Sequence, residues 1–341
     1  MSRRQVIGIV VLAVLLLVGG IVRMLIGRDP NDGGFEFQSP DTSIAWLRFG
    51  AVKSALVAGA CLGLSGLLLQ ALLRNPLASP FILGLSAGAG LGSTIATWAI
   101  TASSAGAIGW LSVAIRSADG VLPGTVGSLA VLIVVYALGR RGGRLDPLTL
   151  VLSGTVVATI CGALTLLVQS LMPPASRGES WMWFMGQVPE LPRADSLWIA
   201  VVLLILSFVA GIRNGVALDI ASTSDEEAES LGVSLKRLRV GLFVLAGALA
   251  AASVALCGPI AFVGFVAPHL SRLLLGARHR ALVPASMIAG AAILVWSDAV
   301  RQSIDVGSGR LPIGVLTALI GGPVFLLVMR SRRMRSGEWT C

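Results

Sequence analysis

Apolar runs of about twenty residues recur along the whole chain, separated by short polar stretches. A run of that length crosses the hydrocarbon core of a bilayer as one helix, because a helix satisfies its own backbone hydrogen bonds where no water can. Length and flanking residues predict about ten spans: Val6–Ile26, Phe49–Leu72, Ile82–Ile100, Val121–Leu138, Leu148–Leu171, Ser196–Ile212, Leu238–Val254, Ile260–Leu275, Leu282–Val300 and Ile313–Met329. The eighth is short and interrupted by proline. The expected fold class is an all-α integral membrane protein, a single transmembrane domain over residues 1–341.

Composition supports the pattern. Of 341 residues, 55% are hydrophobic and 13% charged, with a mean hydropathy of +0.87. Soluble domains carry about 25% charged residues, and this chain has too few to cover a core in water. The net charge of +9 would point to nucleic acid in a soluble protein. Here the basic residues mark loops, and no nucleic-acid partner is expected. The N-terminus, MSRRQ before a long apolar run, has the layout of a signal peptide. The run is too long and no small-residue cleavage site follows, so it reads as an uncleaved first span with its N-terminus inside. An even number of spans then returns the C-terminus to the same side. In that arrangement the inner segments hold 17 of the 26 Lys and Arg, as the positive-inside rule requires.

Chemistry-bearing clusters are sparse. Cys61, Cys161, Cys257 and Cys341 are scattered without metal-ligand spacing, so neither a disulfide framework nor a metal site is expected, and no cofactor. His269 follows Pro268 in a predicted helix interruption and reads as a helix-end residue. Asp298 and Arg301, at i and i+3 near the end of the ninth span, share a helix face and can pair. As charges at a membrane edge, they equally admit a functional reading.

Two features stand out instead. Glycine is abundant, at 41 residues, and dense within spans, as in GACLGLSG (59–66) and GLSAGAGLG (84–92). Helices in lipid gain little by hiding leucine from leucine; they associate by close packing, which small residues permit. Between these stretches lies the corner RNPLASP, whose prolines stop the helix. Irregular backbone at that depth has to be buried against protein or line a cavity. The second feature is STSDEEAESLG, within a loop at about 217–236 and the only acidic cluster of the chain. Hydroxyls ahead of acids make a good helix N-terminus, and Gly232 a natural stop. A short helix outside the membrane is expected there, either solvated or a docking surface for a partner on the inner side.

Several long stretches, in order, resemble one family. They are SGLLLQALLRNPLASPFILGLSAGAGLG, WFMG, EEAESLGVSLKRLR, GPIAFVGFVAPHLSRLLLGARHRALVP, SDAVR and LPIGVLTALIGGPVFLLVMR. Together they resemble the FecCD-type permease subunits of bacterial ABC importers, which carry iron-siderophores, haem or vitamin B12. The resemblance runs from about Arg48 to Met329. It implies the type II importer architecture in the inner membrane, with ten helices and both termini cytoplasmic. Its implied partners are a second permease, two ATPase subunits and an extracytoplasmic binding protein. The chain contains no GxxxxGKS/T phosphate loop, so ATP hydrolysis is expected on a separate subunit and this chain has no catalytic residues.

The resemblance also assigns roles. Asp225, Glu226, Glu227, Glu229, Leu231 and Gly232 fall on the coupling helix that meets the ATPase. Asn75 and Leu77 fall in the cytoplasmic gate. Arg48 and Arg301 match arginines that pair with glutamates of the binding protein. The family commonly reads R-L-P-R at the start of the second span, whereas this chain reads RFGA at 48–51. Ala51 replaces the second arginine, and Lys53 lies nearby. Ferric siderophore is the expected cargo, with haem and cobalamin as alternatives, and the dimer can be of like or unlike permeases. A secondary transporter, built of broken helices, and a membrane enzyme are the rivals from other classes. The poverty of buried carboxylates and the lack of a catalytic constellation argue against both.

Overall fold

The computed structural model describes residues 2–28, 35–37, 41–103, 121–141, 144–174, 177–178, 184–304 and 311–333. Among them twelve α-helices follow in order: α1 (Arg3–Leu25), α2 (Thr42–Leu72), α3 (Leu85–Ser103), α4 (Val121–Leu138), α5 (Pro147–Leu171) and α6 (Ala194–Arg213), then α7 (Gly215–Ala221), α8 (Asp225–Ser230), α9 (Leu235–Cys257), α10 (Val263–Leu275), α11 (His279–Ser303) and α12 (Ile313–Arg333). Two small antiparallel hairpins join neighbouring helices. In one, β1 (Ile26–Arg28) pairs with β2 (Phe35–Phe37); in the other, β3 (Arg140–Arg141) pairs with β4 (Arg144–Leu145). Each of the ten expected spans overlaps one helix of 13 residues or more. Six of these, α1, α2, α5, α6, α9 and α11, are long and apolar enough to cross a membrane; α4, α10 and α12 are shorter apolar helices.

Local sequence explains the helix ends. Ser2 and Gln5 form a reciprocal capping box at the start of α1. Asp146 accepts from the Thr149 amide at 2.8 Å, with Pro147 at the first position of α5. Pro80 opens a 3-10 turn, Pro80–Leu83, and Gly84 at φ 73° turns the chain into α3. Gly258 at φ 70° ends α9.

Helix α2 forms the centre of the bundle. Its most apolar stretch is 89% buried, against 22% for α1 and α6 and 17% for α5. Around α2 pack α6, α9, α10 and α11, with α1 laid over α10 and α11. A second group, α3, α4 and α5, joins this one through the contacts of α3 and α4 with α9. The outward faces of α1, α5 and α6 carry rows of exposed leucine, isoleucine and valine, the surface expected against lipid or another subunit.

The glycines expected to allow close packing do so, with identifiable partners. A methyl group at Gly59, Gly63 or Gly66 of α2 would collide with the carbonyl oxygen of Gly290 or Ser286 on α11, or of Gly264 on α10. Gly88 and Gly127 meet in the same way between α3 and α4. The structure differs here from the sequence reading, which placed an interruption at Pro268-His269. Helix α10 runs unbroken through Pro268. Proline removes the amide that would bond the carbonyl four residues earlier, which is that of Gly264. That carbonyl is the one Gly66 presses against.

Gly66→Ala is therefore expected to destabilise the protein by about 1–3 kcal/mol, the usual range for overpacking. Gly241→Ala, within α9 and with nothing near its missing methyl, is expected to be neutral or mildly stabilising. Thermal unfolding midpoints of the two variants in the same detergent check the contrast.

Candidate functional site

The acidic segment folds as expected into a short helix, α8. The Ser224 hydroxyl caps it, accepting from the Glu227 amide at 3.0 Å. Asp225, Glu226 and Glu227 occupy its first turn, where acids oppose the positive end of the helix dipole. Gly232 at φ 81° closes it, its amide donating to Glu229 at 3.0 Å and that of Val233 to Ala228 at 2.9 Å. This is the double-bonded glycine stop. Ala228 is the buried residue of α8, while Glu226, Glu227, Leu231 and Gly232 are exposed. Leu231, at 61% exposure, is an apolar side chain among carboxylates.

The remaining two acids of α8 are held from within the chain. Arg239, near the start of α9, donates to both oxygens of Asp225 at 2.7 and 2.9 Å. Arg74, from the α2–α3 corner, pairs with the same carboxylate and donates through Nε to the Ala221 carbonyl at 2.7 Å. Arg144, in β4 of the α4–α5 hairpin, pairs with Glu229 at 2.9 Å. Helix α8 is thus tied at its start to the corner and to α9, and toward its end to the hairpin. The sequence reading identified neither Arg74, Arg239 nor Arg144 as partners. Their only signal was basic character in predicted inner loops.

The corner itself has a defined geometry. α2 ends with the Arg74 amide donating to Ala71 at 3.4 Å and the Asn75 amide to Gln70 at 3.2 Å. This is the same stop that Gly232 makes, but with arginine at the left-handed position, φ 47°. That conformation costs a side-chain-bearing residue of order 1–3 kcal/mol and persists only where surroundings fix it. The Asn75 side chain accepts from the Leu77 amide at 2.9 Å, shaping the turn. Gln70 donates to Ala78 at 3.3 Å and accepts from Arg272 of α10, so the corner is also anchored on its far side. Leu77 lines a cavity of about 360 Å³ with Ser79, Phe81, Phe262, Phe265 and Phe325. The corner borders a cavity, as irregular backbone in a membrane protein must.

Further contacts gather at this end of the bundle. Arg4 donates to the carbonyls of Leu273 and Leu274 at 3.0 and 3.1 Å, joining the N-terminus to the end of α10. Asp219 of α7 accepts from the His279 amide at 2.9 Å, and the His279 ring lies 2.7 Å away. Burial pushes the Asp219 carboxyl up, but the hydrogen bonds from His279 and its charge outweigh that and hold it below the usual carboxylate range. The contribution of this tie is therefore present at neutral pH and fades as pH falls through the lowered value.

At the opposite end lies a buried charge cluster. Asp298 pairs with Arg301 at 2.6 Å on its own helix and with Arg23 at the end of α1. Side-chain exposures are 0% for Asp298, 6% for Arg301 and 2% for Arg23. The expected i, i+3 pair is present, but Arg23, unremarked in the sequence, completes it. Arg301 is turned into the bundle rather than toward an outside partner. Arg48 is half-buried and donates to the Met24 carbonyl at 2.7 Å. The RFGA departure also has a physical reason. Ala51 is fully buried, so an arginine there would enter the core. Gly50 lies so close to the Glu190 carbonyl that any side chain would collide with it. Lys53 sits over the rings of Trp46 and Phe49, at 5.1 and 4.8 Å from their centres, an interaction of cation with aromatic face.

A bundle of apolar helices around α2, with a charged helix lashed to one end, defines a polytopic membrane protein. The sequence profile of the FecCD transport family matches residues 5–331, and the chain belongs to that family, as an ABC importer permease of the inner membrane. It is 33% identical over 303 residues to the hemin transport system permease protein HmuU of Yersinia pestis, covering 86% of this chain and 85% of the relative. It is 33% identical over 341 residues to the vitamin B12 import system permease protein BtuC of Klebsiella pneumoniae, covering 97% and 95%. The molybdate import system permease protein MolB of Haemophilus influenzae is 32% identical over 293 residues, covering 84% and 81%. A solved structure described as an inward-facing conformation of a metal-chelate type ABC transporter superposes with a TM-score of 0.79 and 29% identity, over 96% of this chain and 99% of that one.

Asp298→Ala leaves Arg23 and Arg301 buried without their shared carboxylate. Removing one partner of a buried pair costs about 3–5 kcal/mol. The variant is expected to lose most of its folded yield, read as monodisperse protein on size-exclusion chromatography in detergent.

Proposed function

We propose that the chain, acting as a single permease domain, imports an iron chelate across the inner membrane, with a ferric siderophore the favoured cargo. Haem and vitamin B12 are the alternatives, each the named cargo of a relative. The permease works as a dimer, of like or unlike chains, with two ATPase subunits and an extracytoplasmic binding protein. Both termini lie in the cytoplasm on this reading, on the side that carries α8.

The observation that carries the proposal is the arrangement of α8. Glu226, Glu227 and Leu231 present an exposed, mixed acidic and apolar face, while Asp225 and Glu229 are engaged by arginines of the permease itself. An ATPase surface docks on the first set, with Gly232 closing the helix, and its movement passes to the permease through the second. Asn75 and Leu77 shape the gate at the corner. At the outer end the binding protein meets Arg48; the burial of Arg301 moves that residue's role to holding α1 against α11.

The test is ATP-driven uptake by proteoliposomes holding the permease, the ATPase encoded beside it and the binding protein. Ferric siderophores, haem and cobalamin are offered in turn. Uptake of a ferric siderophore is expected, and Glu226→Arg with Glu227→Arg is expected to lower it at least tenfold with the permease still folded. Uptake that persists without the ATPase would overturn the proposal in favour of a secondary transporter.

A further inference from the structure

We infer that Arg74, Asp225 and Arg239 form the joint through which movement of α8 reaches the α2–α3 corner. This deepens the proposed function and rests on it. Three observations converge. First, one carboxylate at the first position of α8 takes two guanidinium groups from different parts of the fold, Arg74 from the corner and Arg239 from the base of α9. Second, Arg74 makes a further bond to Ala221, the last residue of α7, so it grips both sides of the turn that leads into α8. Third, the Arg74 backbone is left-handed at a helix stop where glycine is the unstrained choice. A stop alone has no need of a guanidinium, whereas a connection to α8 does.

The geometry sets the direction of action. Arg74 is the first residue beyond the end of α2 and its cap, and the corner residues that follow it border the cavity lined by Leu77 and Ser79. The other side of the corner is fixed to α10 through Gln70 and Arg272. A displacement of α8 that pulls on Asp225 therefore turns the corner between a moving tie at Arg74 and a stationary one at Ala78. The side chains of Arg74 and Asp225 are 29% and 41% exposed. A pair so placed adds little to stability, and its value lies in direction rather than energy.

The test uses the complete permease–ATPase complex with its binding protein in proteoliposomes, and a reporter cysteine at Ser79→Cys. ATP hydrolysis and the ATP-dependent change in labelling of that cysteine by a maleimide are measured together. Arg74→Gly keeps, and relaxes, the left-handed stop while removing the guanidinium. Asp225→Asn removes the charge at the other end. Arg74→Gly is expected to hydrolyse ATP within about twofold of the parent, and both variants to lose at least fivefold of the ATP-dependent labelling change; the twofold and fivefold limits correspond to about 0.4 and 1 kcal/mol. Arg74→Lys is expected to retain an intermediate change. An unaltered labelling change in Arg74→Gly would overturn the joint. So would loss of assembly or of ATP hydrolysis in that variant, since the side chain would then hold the complex together rather than transmit motion. If the Ser79→Cys parent itself shows ATP hydrolysis without any labelling change, the gate reading of the corner fails, and not the joint alone.

Discussion

Backbone-to-backbone contact along α2 is the constraint on which the rest of the structure depends. Lipid gives helices no hydrophobic reason to associate, so the bundle is held by how closely its backbones approach. Gly59, Gly63 and Gly66 form a strip, at four- and three-residue intervals, on which α11 and α10 rest their carbonyl oxygens. The strip leads directly into the corner at Arg74. The irregular segment is therefore mounted on the most buried of the six long apolar helices described. Seated against α10 and α11 through the strip, α2 gives the corner a fixed base.

Much of this was legible in the sequence because membrane chemistry is restrictive. Span positions followed from apolar length, and α8 from hydroxyls before acids and a glycine after them. What stayed hidden was partnership over long separations. Nothing in the sequence near Asp225 names Arg74, which lies far back in the chain, and nothing near Asp298 names Arg23. Pattern reading also failed where packing overrides propensity. Pro268 reads as a break by local propensity, yet the helix passes through it, at the point where Gly66 of α2 packs against the Gly264 carbonyl. Likewise Arg301 looked like an edge charge, since the carboxylate beside it does not reveal a second arginine approaching from α1.

Kinship does not select the cargo, and the fold explains why. Identity stands at 33%, 33% and 32% to permeases named for haemin, vitamin B12 and molybdate. Such different solutes at equal distance mean that the shared positions serve something common to them all. The glycine strip and the corner are held by backbone contacts and capping bonds within this chain, and none of those contacts involves a solute.

The two ends of the bundle manage charge in opposite ways, and the difference is energetic. The side chains of Asp298, Arg23 and Arg301 are at most 6% exposed. Separating a pair there would strand a charge without water, at a cost of several kcal/mol. Around α8 the paired side chains range from 12% to 61% exposed, and water can take over each bond, so a pair is worth only about 0–1 kcal/mol. The first cluster is a weld and the second a set of re-formable ties. Motion is cheap where α8 sits and costly where α1 meets α11. Arg74 joins the corner to the end whose ties can be remade, while the base beneath the corner stays held by α2.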